Sequence, residues 1–287
     1  MNKTSIDWKR TALLIDLALE EDLGAKGDTT SIAVIPADLN AKAQLLAKCD
    51  CVVAGLEVAK TVFLAVDNTL DFTSLVEDGA NVENTAVIAE ISGKAISLLT
   101  AERTALNFLQ RLTGVATESA RYANAVAGTG CVILDTRKTT PGWRNLEKYA
   151  VATGGATNHR IGLYDRVMIK DNHRELAGLD GPYGIMRSVE KAKRTFPELE
   201  VEVEADTLEQ VREAADAGAD YILLDNMTNE EMLDAVSING GRAKLEASGG
   251  ITFERIREIA TLGVDFISVG ALTHSVKAAD ISMETVL

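Results

Sequence analysis

The sequence predicts an α/β protein: a smaller mixed domain followed by a parallel barrel of βα units. Two observations carry this. From about residue 131 onward, short apolar strand-like segments alternate with helical ones. The residues that end the later strands also recur at one interval: Asp225 follows Glu204 by 21 positions, Ser248 follows Asp225 by 23, and Gly270 follows Ser248 by 22. That interval is one strand, one turn and one helix, and such units in series build a parallel sheet or barrel.

Each element has its own reason. Residues 8–23 carry Leu13, Leu14, Leu17 and Ala18 at helical spacing and then Gly24, an amphipathic helix with a stop. Residues 41–97 read as strand-like pieces at 43–48, 51–54 and 86–91 around a helix at 56–67, a separate α+β domain. Residues 98–121 form a long helix-compatible segment. The strands of the repeat are expected at 131–134, 167–169, 201–204, 221–224, 244–247 and 266–269, with helices at 208–217, 230–236 and 253–262. These are six clear strands. A seventh is expected in the Gly-rich region near residue 157, and an eighth has no support.

Composition narrows the function. With 287 residues, 46% of them hydrophobic, the chain can bury one large or two modest cores. No apolar run is long enough to span a bilayer. Residues 1–10 are polar and are followed by Asp16, Glu20, Glu21 and Asp22, which is not a signal-peptide pattern. Cys49, Cys51 and Cys131 include no Cys-x-x-Cys pair, which argues against a disulfide framework or zinc site and for a reducing cytoplasm. The net charge of −14 excludes nucleic acid as a bulk partner.

Against that acidic background, residues 135–173 concentrate cations: Arg137, Lys138, Arg144, His159, Arg160, Lys170 and His173. They follow apolar strands and sit beside Gly and Pro. In a βα barrel the carboxyl ends of the strands form one face, where active sites lie. Arg137 and Lys138 at such an end read as an anion clamp rather than a charged surface turn. His159-Arg160, after Gly154-Gly155, reads as a second clamp, against the blander reading of a structural histidine. Lys170 ends a strand and can bind an anion or, with a depressed pKa, form a Schiff base.

Glu204 and Asp225 end consecutive strands and suit metal-phosphate coordination, hydroxyl binding or stabilisation of a cationic transition state. Strand alternation puts Glu202 on the face of Glu204, so a buried Glu202 needs a cation, for which Lys244 is one candidate. Ser248-Gly249-Gly250 before a helix offers backbone N–H groups to a phosphate, with Gly270 and Ala271 in support, against the reading of an ordinary tight turn. Arg103 and Arg111, on the long helix, read as exposed.

Together these residues resemble the quinolinate phosphoribosyltransferase family. The resemblance runs through Glu21-Asp22-Leu23-Gly24, Gly27-Asp28-Thr29-Thr30, Val53-Ala54-Gly55-Leu56, residues 102–111 and Thr113-Gly114-Val115-Ala116-Thr117. It continues through residues 135–142, Glu147-Lys148-Tyr149-Ala150, Asn158-His159-Arg160, residues 169–173, Leu223-Leu224-Asp225-Asn226 and residues 246–251. Trp143, Ala152 and Ala156 depart from the usual Leu, Arg and Gly. A molybdenum-associated branch is similar in outline but lacks the Asn-His-Arg and Ile-Lys-Asp-Asn-His forms.

The resemblance implies an N-terminal α/β sandwich domain (1–114), an incomplete, seven-stranded α/β barrel of TIM type (115–275) and a C-terminal tail (276–287) packing back on the first domain. It implies a homodimer, or a hexamer of such dimers, in which Arg103 is donated to the neighbouring site. The implied reaction is phosphoribosyl transfer from 5-phosphoribosyl 1-pyrophosphate to quinolinate with decarboxylation. The implied quinolinate residues are Arg103, Thr136, Arg137, His159, Arg160 and Lys170. The donor residues are Lys138, Lys170, Asn172, Glu204, Asp225, Ser248, Gly249, Gly250, Gly270 and Ala271. Lys138, Lys170, Glu204 and Asp225 are the expected catalytic groups, with Glu204 and Asp225 holding Mg²⁺ and no organic cofactor. Competing readings are a Schiff-base lyase or aldolase with Lys170 as nucleophile, a phosphate- or nucleotide-sensing barrel without turnover, and a nicotinate phosphoribosyltransferase.

Overall fold

The computed structural model describes residues 5–179 and 181–286. The first four residues of the expected N-terminal domain and the last residue of the tail lie outside them. The chain forms two compact units that interleave along the sequence. One comprises residues 1–120, 139–155 and 272–287, the other residues 121–138 and 156–271.

The first unit opens with helix α1 (Trp8–Leu23), where Asp7 caps by accepting from the Arg10 N–H and Gly24 ends the helix at φ +50°. Helix α2 (Thr29–Val34) is capped by Asp28. Strands β1 (Asn40–Ala47) and β2 (Cys51–Val52), helix α3 (Leu56–Val66), and strands β3 (Asp71–Ser74), β4 (Asn81–Val82) and β5 (Val87–Lys94) follow. Helix α4 (Ala95–Ala125) buries Leu98, Ala101, Ala105, Leu109 and Leu112, one stripe at three-and-four spacing. Its residues from Arg121 onward belong to the second unit.

The chain continues with β6 (Val132–Leu134), α5 (Arg144–Thr153), β7 (Val167–Ile169), α6 (Asp171–Leu176), α7 (Gly184–Thr195), β8 (Val201–Ala205) and α8 (Leu208–Asp216). Then come β9 (Tyr221–Asp225), α9 (Asn229–Asn239), β10 (Lys244–Ser248), α10 (Phe253–Ala260), β11 (Phe266–Ser268), α11 (Ala271–His274) and β12 (Ile281–Val286).

In the first unit a four-stranded antiparallel sheet runs β12-β1-β5-β3, beside a small β2-β4 ladder. Two expectations change here. Helix α1 has the expected bounds but turns Leu13 and Leu17 outward, 58% and 62% exposed, and buries Thr11 and Ile15 instead. Arg111 is not an exposed surface residue. Its guanidinium lies 2.6 Å from the fully buried Glu147 and also donates to the carbonyls of Thr273 and Val276. A buried carboxylate needs such a partner, so helix spacing alone misjudged this side chain.

The second unit is a parallel six-stranded sheet in the order β6-β11-β10-β9-β8-β7. It is an incomplete barrel. The expected seventh strand is present only as one parallel bridge, Leu134 to Thr157, at the free edge of β6. Ladder hydrogen bonds run from Asp135 N–H to Thr157 O and from Thr157 N–H to Ile133 O and then stop. Gly154 and Gly155 before that point and the turn at residues 161–166 after it leave no length for a regular strand. Helices α5 and α7 were not expected, since Trp143 and Tyr183 stand at their N-caps in place of the Ser, Thr, Asp or Asn that marks a helix start. The register aligns Glu204, Leu223 and Glu246 in one row across β8, β9 and β10. Paired residues share a sheet face, so Glu202, Glu204 and Glu246 point to one side, and Val201 and Val203, both fully buried, to the other.

Gly114 on α4 lets the tail pass close by. A Cβ there would overlap the Lys277 carbonyl oxygen and approach Ala278 Cα and Ala279 N at 3.2 Å. Because backbone cannot yield as a side-chain tip can, Gly114→Ala should lower unfolding free energy by at least about 2 kcal/mol in a urea titration. An unchanged midpoint would show that the tail does not pack there.

Candidate active site

The barrel gathers its polar residues at the carboxyl ends of its strands. Asp135, Thr136, Arg137 and Lys138 follow β6, Asn158, His159 and Arg160 follow the Thr157 bridge, and Lys170 follows β7. Glu204 lies in β8 and Asp225 ends β9. Ser248 ends β10, with Gly249 and Gly250 next, and Gly270 and Ala271 come just after β11. Asn172, on α6, is exposed. All of these share one compact unit, whereas Arg103, 61% exposed and 4.0 Å from Glu102, belongs to the other.

The cations of this face are unevenly paired. Lys170 Nζ is bonded to Glu204, on the neighbouring strand. Arg160 donates to the Arg166 carbonyl at 3.1 Å and to Met168 Sδ at 3.4 Å, and no carboxylate accepts from it. Burial lowers its pKa, and the nearby positive charge of Arg137 lowers it further. Arg137 is half-buried, and its Nε has no hydrogen-bond partner. Glu202 and Asp165 offset the lowering at Arg160 only in part, so Arg137 and Arg160 repel each other, and neither is hydrogen-bonded to a carboxylate among the described residues. Lys138 is exposed, and its N–H donates to Thr136 Oγ1 at 3.0 Å.

Gly249 and Gly250 adopt φ +85° and +59°, the left-handed region that glycine enters without strain, and a Cβ on Gly249 would collide with Asn226. Successive N–H groups turned this way ahead of helix α10 make an anion-binding concavity. Asp225 accepts from its neighbour Asn226 Nδ2 at 2.7 Å.

Beneath the mouth lies a buried charge cluster. His159 Nε2 is 3.3 Å from Oε2 of both Glu202 and Glu246. Glu202 Oε2 is also 3.3 Å from Arg166 Nη1, and Arg166 stacks on Tyr221 at 3.9 Å. The cation that Glu202 requires is therefore Arg166, with the His159 ring beside it, and not Lys244. Lys244 is exposed and pairs with Asp265 at 2.7 Å. The signal for Arg166 was present in the sequence: it shares strand parity with Met168 and Lys170, beside a strand of alternating glutamates. Glu246 could not be assigned before the fold was known.

Burial opposes charge on His159, but the two carboxylates outweigh it and would raise its pKa to about 9. The ring geometry opposes that outcome. The Arg160 N–H donates to Nδ1 at 2.7 Å and occupies the lone pair a second proton needs. We therefore assign the ring one proton, on Nε2, and the remaining proton to Glu246, whose pKa is raised by burial and by the charge of Glu202. Asp135, fully buried, accepts from the His159 N–H at 2.7 Å and from Asn158 Nδ2 at 2.8 Å.

A second cavity, of about 620 Å³, opens at the amino ends of the strands. It is lined by Glu200, Asp220, Lys244 and Asp265, among others. Active sites of βα barrels lie at the other end, and the Lys244–Asp265 pair closes off its charge.

The comparisons agree with this geometry. Residues 28–113 match the family described as quinolinate phosphoribosyl transferase, N-terminal domain, and residues 115–284 its C-terminal domain. The chain is 45% identical to the chloroplastic nicotinate-nucleotide pyrophosphorylase [carboxylating] of Arabidopsis thaliana, covering 94% of this chain and 81% of that one. It is 41% identical to the probable enzyme of that name from Bacillus subtilis, covering 93% and 90%. The solved structure of the nicotinate-nucleotide pyrophosphorylase from Francisella tularensis superposes with a TM-score of 0.93 at 38% identity, covering 100% and 99%.

Removing Glu202 would leave the Arg166 guanidinium without its buried countercharge and His159 Nε2 without one of the two carboxyl groups that face it. Glu202→Ala should therefore cost about 3–5 kcal/mol of stability, measured by chemical denaturation. A cost under about 1 kcal/mol would mean that solvent, not Glu202, balances Arg166.

Proposed function

The chain belongs to the quinolinate phosphoribosyltransferase family, and from that membership we propose how its residues divide the work. The reaction is phosphoribosyl transfer from 5-phosphoribosyl 1-pyrophosphate to quinolinate with decarboxylation, giving nicotinate mononucleotide, pyrophosphate and carbon dioxide in NAD biosynthesis.

The observation that carries the assignment of residues is that Arg137 and Arg160 repel each other without a hydrogen-bonded carboxylate, Arg137 keeping an unpartnered Nε. Quinolinate has two adjacent carboxylates, and guanidinium groups bind carboxylates in a fork. Arg137 and Arg160, with Thr136 and Lys170, take these carboxylates, and His159 belongs to the same set. Lys138, Lys170, Asn172, Glu204 and Asp225 serve the phosphoribosyl donor, and Ser248, Gly249, Gly250, Gly270 and Ala271 take its 5-phosphate. When quinolinate nitrogen attacks the anomeric carbon, the bond to pyrophosphate breaks and positive charge develops on the ribose. Glu204 and Asp225 hold the ribose hydroxyls and favour that charge, while Lys138 and Lys170 receive the departing pyrophosphate. The ring nitrogen, now cationic, stabilises the electron pair that the departing carbon dioxide leaves on the adjacent ring carbon, and that carbon then takes a proton from solvent, so decarboxylation needs no organic cofactor.

Glu204 and Asp225 are hard oxygen donors on adjacent strand ends and fit Mg²⁺ arriving with the donor. Bound there, the ion would neutralise pyrophosphate charge.

We place the enzyme in the cytoplasm, as the free thiols of Cys49, Cys51 and Cys131 suggest. The plant relative is named as chloroplastic, and no helix among the described residues is long and apolar enough to cross a membrane. A homodimer in which Arg103 completes the partner's site is supported by two features. Arg103 is exposed beside only a distant carboxylate, and Trp8, Leu13 and Leu17 form an exposed apolar stripe on α1.

Turnover with quinolinate and with nicotinate, following carbon dioxide and mononucleotide together, tests the reading. Cations left facing a missing carboxylate cost more than a lost apolar contact, so quinolinate should be preferred by a factor on the order of 10³ or more in kcat/KM. Comparable values for the two acids would sink the substrate assignment.

Arg103→Ala and Lys170→Ala should each be nearly inactive alone. In an equal mixture half the dimers are mixed, and in each mixed dimer one site collects both defects and the other neither. Co-refolding should then restore activity approaching about a quarter of the sites. Verified mixed dimers without recovery would remove Arg103 from the partner's site.

A further inference from the structure

The segment that carries Arg160 lacks the strand pairing that fixes the other residues of the mouth. After the single bridge at Thr157 no ladder continues, yet Arg160 must stay beside Arg137 against the repulsion of like charges. Side chains do this work instead. Asp135 holds the Asn158 amide and the His159 N–H. His159 Nδ1 holds the Arg160 N–H. The His159 ring is in turn held at Nε2 by Glu202 from β8 and Glu246 from β10.

Glu246 is fully buried and aimed at His159. Ser268 lies near it, but neither carboxyl oxygen has a donor in good hydrogen-bond geometry. A carboxyl kept in so costly a position asks for a reason beyond stability. His159, Glu202 and Glu246 also have the composition of a metal site. A cation does not suit it, because Glu202 Oε2 already faces the Arg166 guanidinium and the Nε2 proton fills the space between the carboxylates.

We propose that Glu246 is a positioning residue for substrate binding: together with Glu202 it fixes the His159 ring, and through Nδ1 the Arg160 amide, so that the Arg160 guanidinium stays beside Arg137. Glu246 acts through His159 and does not touch substrate. The proposal rests on the assignment of Arg137 and Arg160 to the quinolinate carboxylates. It accounts for His159 in the site even though both its ring nitrogens are engaged within the protein.

The test compares Glu246→Leu and Glu246→Gln with the wild-type enzyme. Leu fills the volume but offers no acceptor to Nε2–H, whereas Gln keeps one. In the Leu variant the KM for quinolinate should rise between about 10- and 100-fold, the size seen when a group that orients a binding residue is lost. The KM for the phosphoribosyl donor and the melting temperature should stay at wild-type values, and the Gln variant should restore most of the quinolinate affinity. A residue with a merely structural role would lower the melting temperature and leave the KM ratio alone. A folded Leu variant with unchanged quinolinate KM, or with both KM values raised alike, overturns the proposal. A wild-type enzyme that does not turn over quinolinate defeats the functional reading instead. In that case ¹⁵N histidine shifts still decide the clamp: wild type should show His159 as the Nε2–H form, and its Nε2 shift should move in the Leu variant as one of the two carboxyl groups facing it is lost. An Nδ1–H ring in the wild type refutes it.

Discussion

A cation cluster in a barrel mouth must be held against its own repulsion, and the rest of the second unit follows from that constraint. Arg137 and Arg160 are half-buried and repel each other, and Glu202 and Asp165 offset the Arg160 charge only in part. Their counterweight lies one layer deeper, where Glu202 and Glu246 meet His159 and Arg166. Placing the acids below rather than beside the guanidinium groups leaves the fork-like donors open to an incoming dianion. Guanidinium charge without a hydrogen-bonded carboxylate is costly to bury, and a ligand that brings carboxylates would relieve that cost.

The βα repeat makes this layering possible. A strand period of two puts every second residue of β8 and β10 on the inner face, so Glu204 and Glu246 share a row with Glu202 one step back on β8, while Val201, Val203, Leu245 and Ala247 pack on the other side. At the mouth, Glu204 is bonded to Lys170 and Asp225 ends the next strand, the groups proposed to serve the ribose and pyrophosphate. Beneath them, Glu202 and Glu246 face His159. Where the sheet opens between Thr157 and β7, hydrogen bonds accepted by Asp135, His159 Nδ1 and the Arg166 carbonyl take over from a strand ladder.

The first unit solves a different problem. Its 31-residue helix α4 supplies both a core stripe and polar attachment points. Arg111 on that helix ties Glu147 of α5 to the carbonyls of Thr273 and Val276, so three distant chain segments meet at one guanidinium. Glu147 also accepts from the Thr140 N–H at 3.0 Å and its hydroxyl at 2.9 Å, which fixes the start of the loop at 139–142. Leu13 and Leu17, left outward on α1, are the kind of surface that a second chain covers.

The sequence alone determined the class of fold, most element positions and the inward parity of Glu202 and Glu204, because periodicity and strand alternation are local properties of the chain. The motifs around Arg137, Asn158-His159-Arg160, Lys170 and Ser248-Gly249-Gly250 also marked the family. Tertiary structure decided which partner each charge takes. Lys244 and Arg166 are both basic residues at strand starts, and only the register and the side-chain reach put Arg166 on Glu202 and Lys244 on Asp265. The same holds for Arg111, for the face that α1 buries and for Glu246, whose meaning depends on His159, 87 positions earlier in the chain. Pairing of buried charges is a long-range property, set by which segments the fold brings within about 4 Å, and no local pattern encodes it.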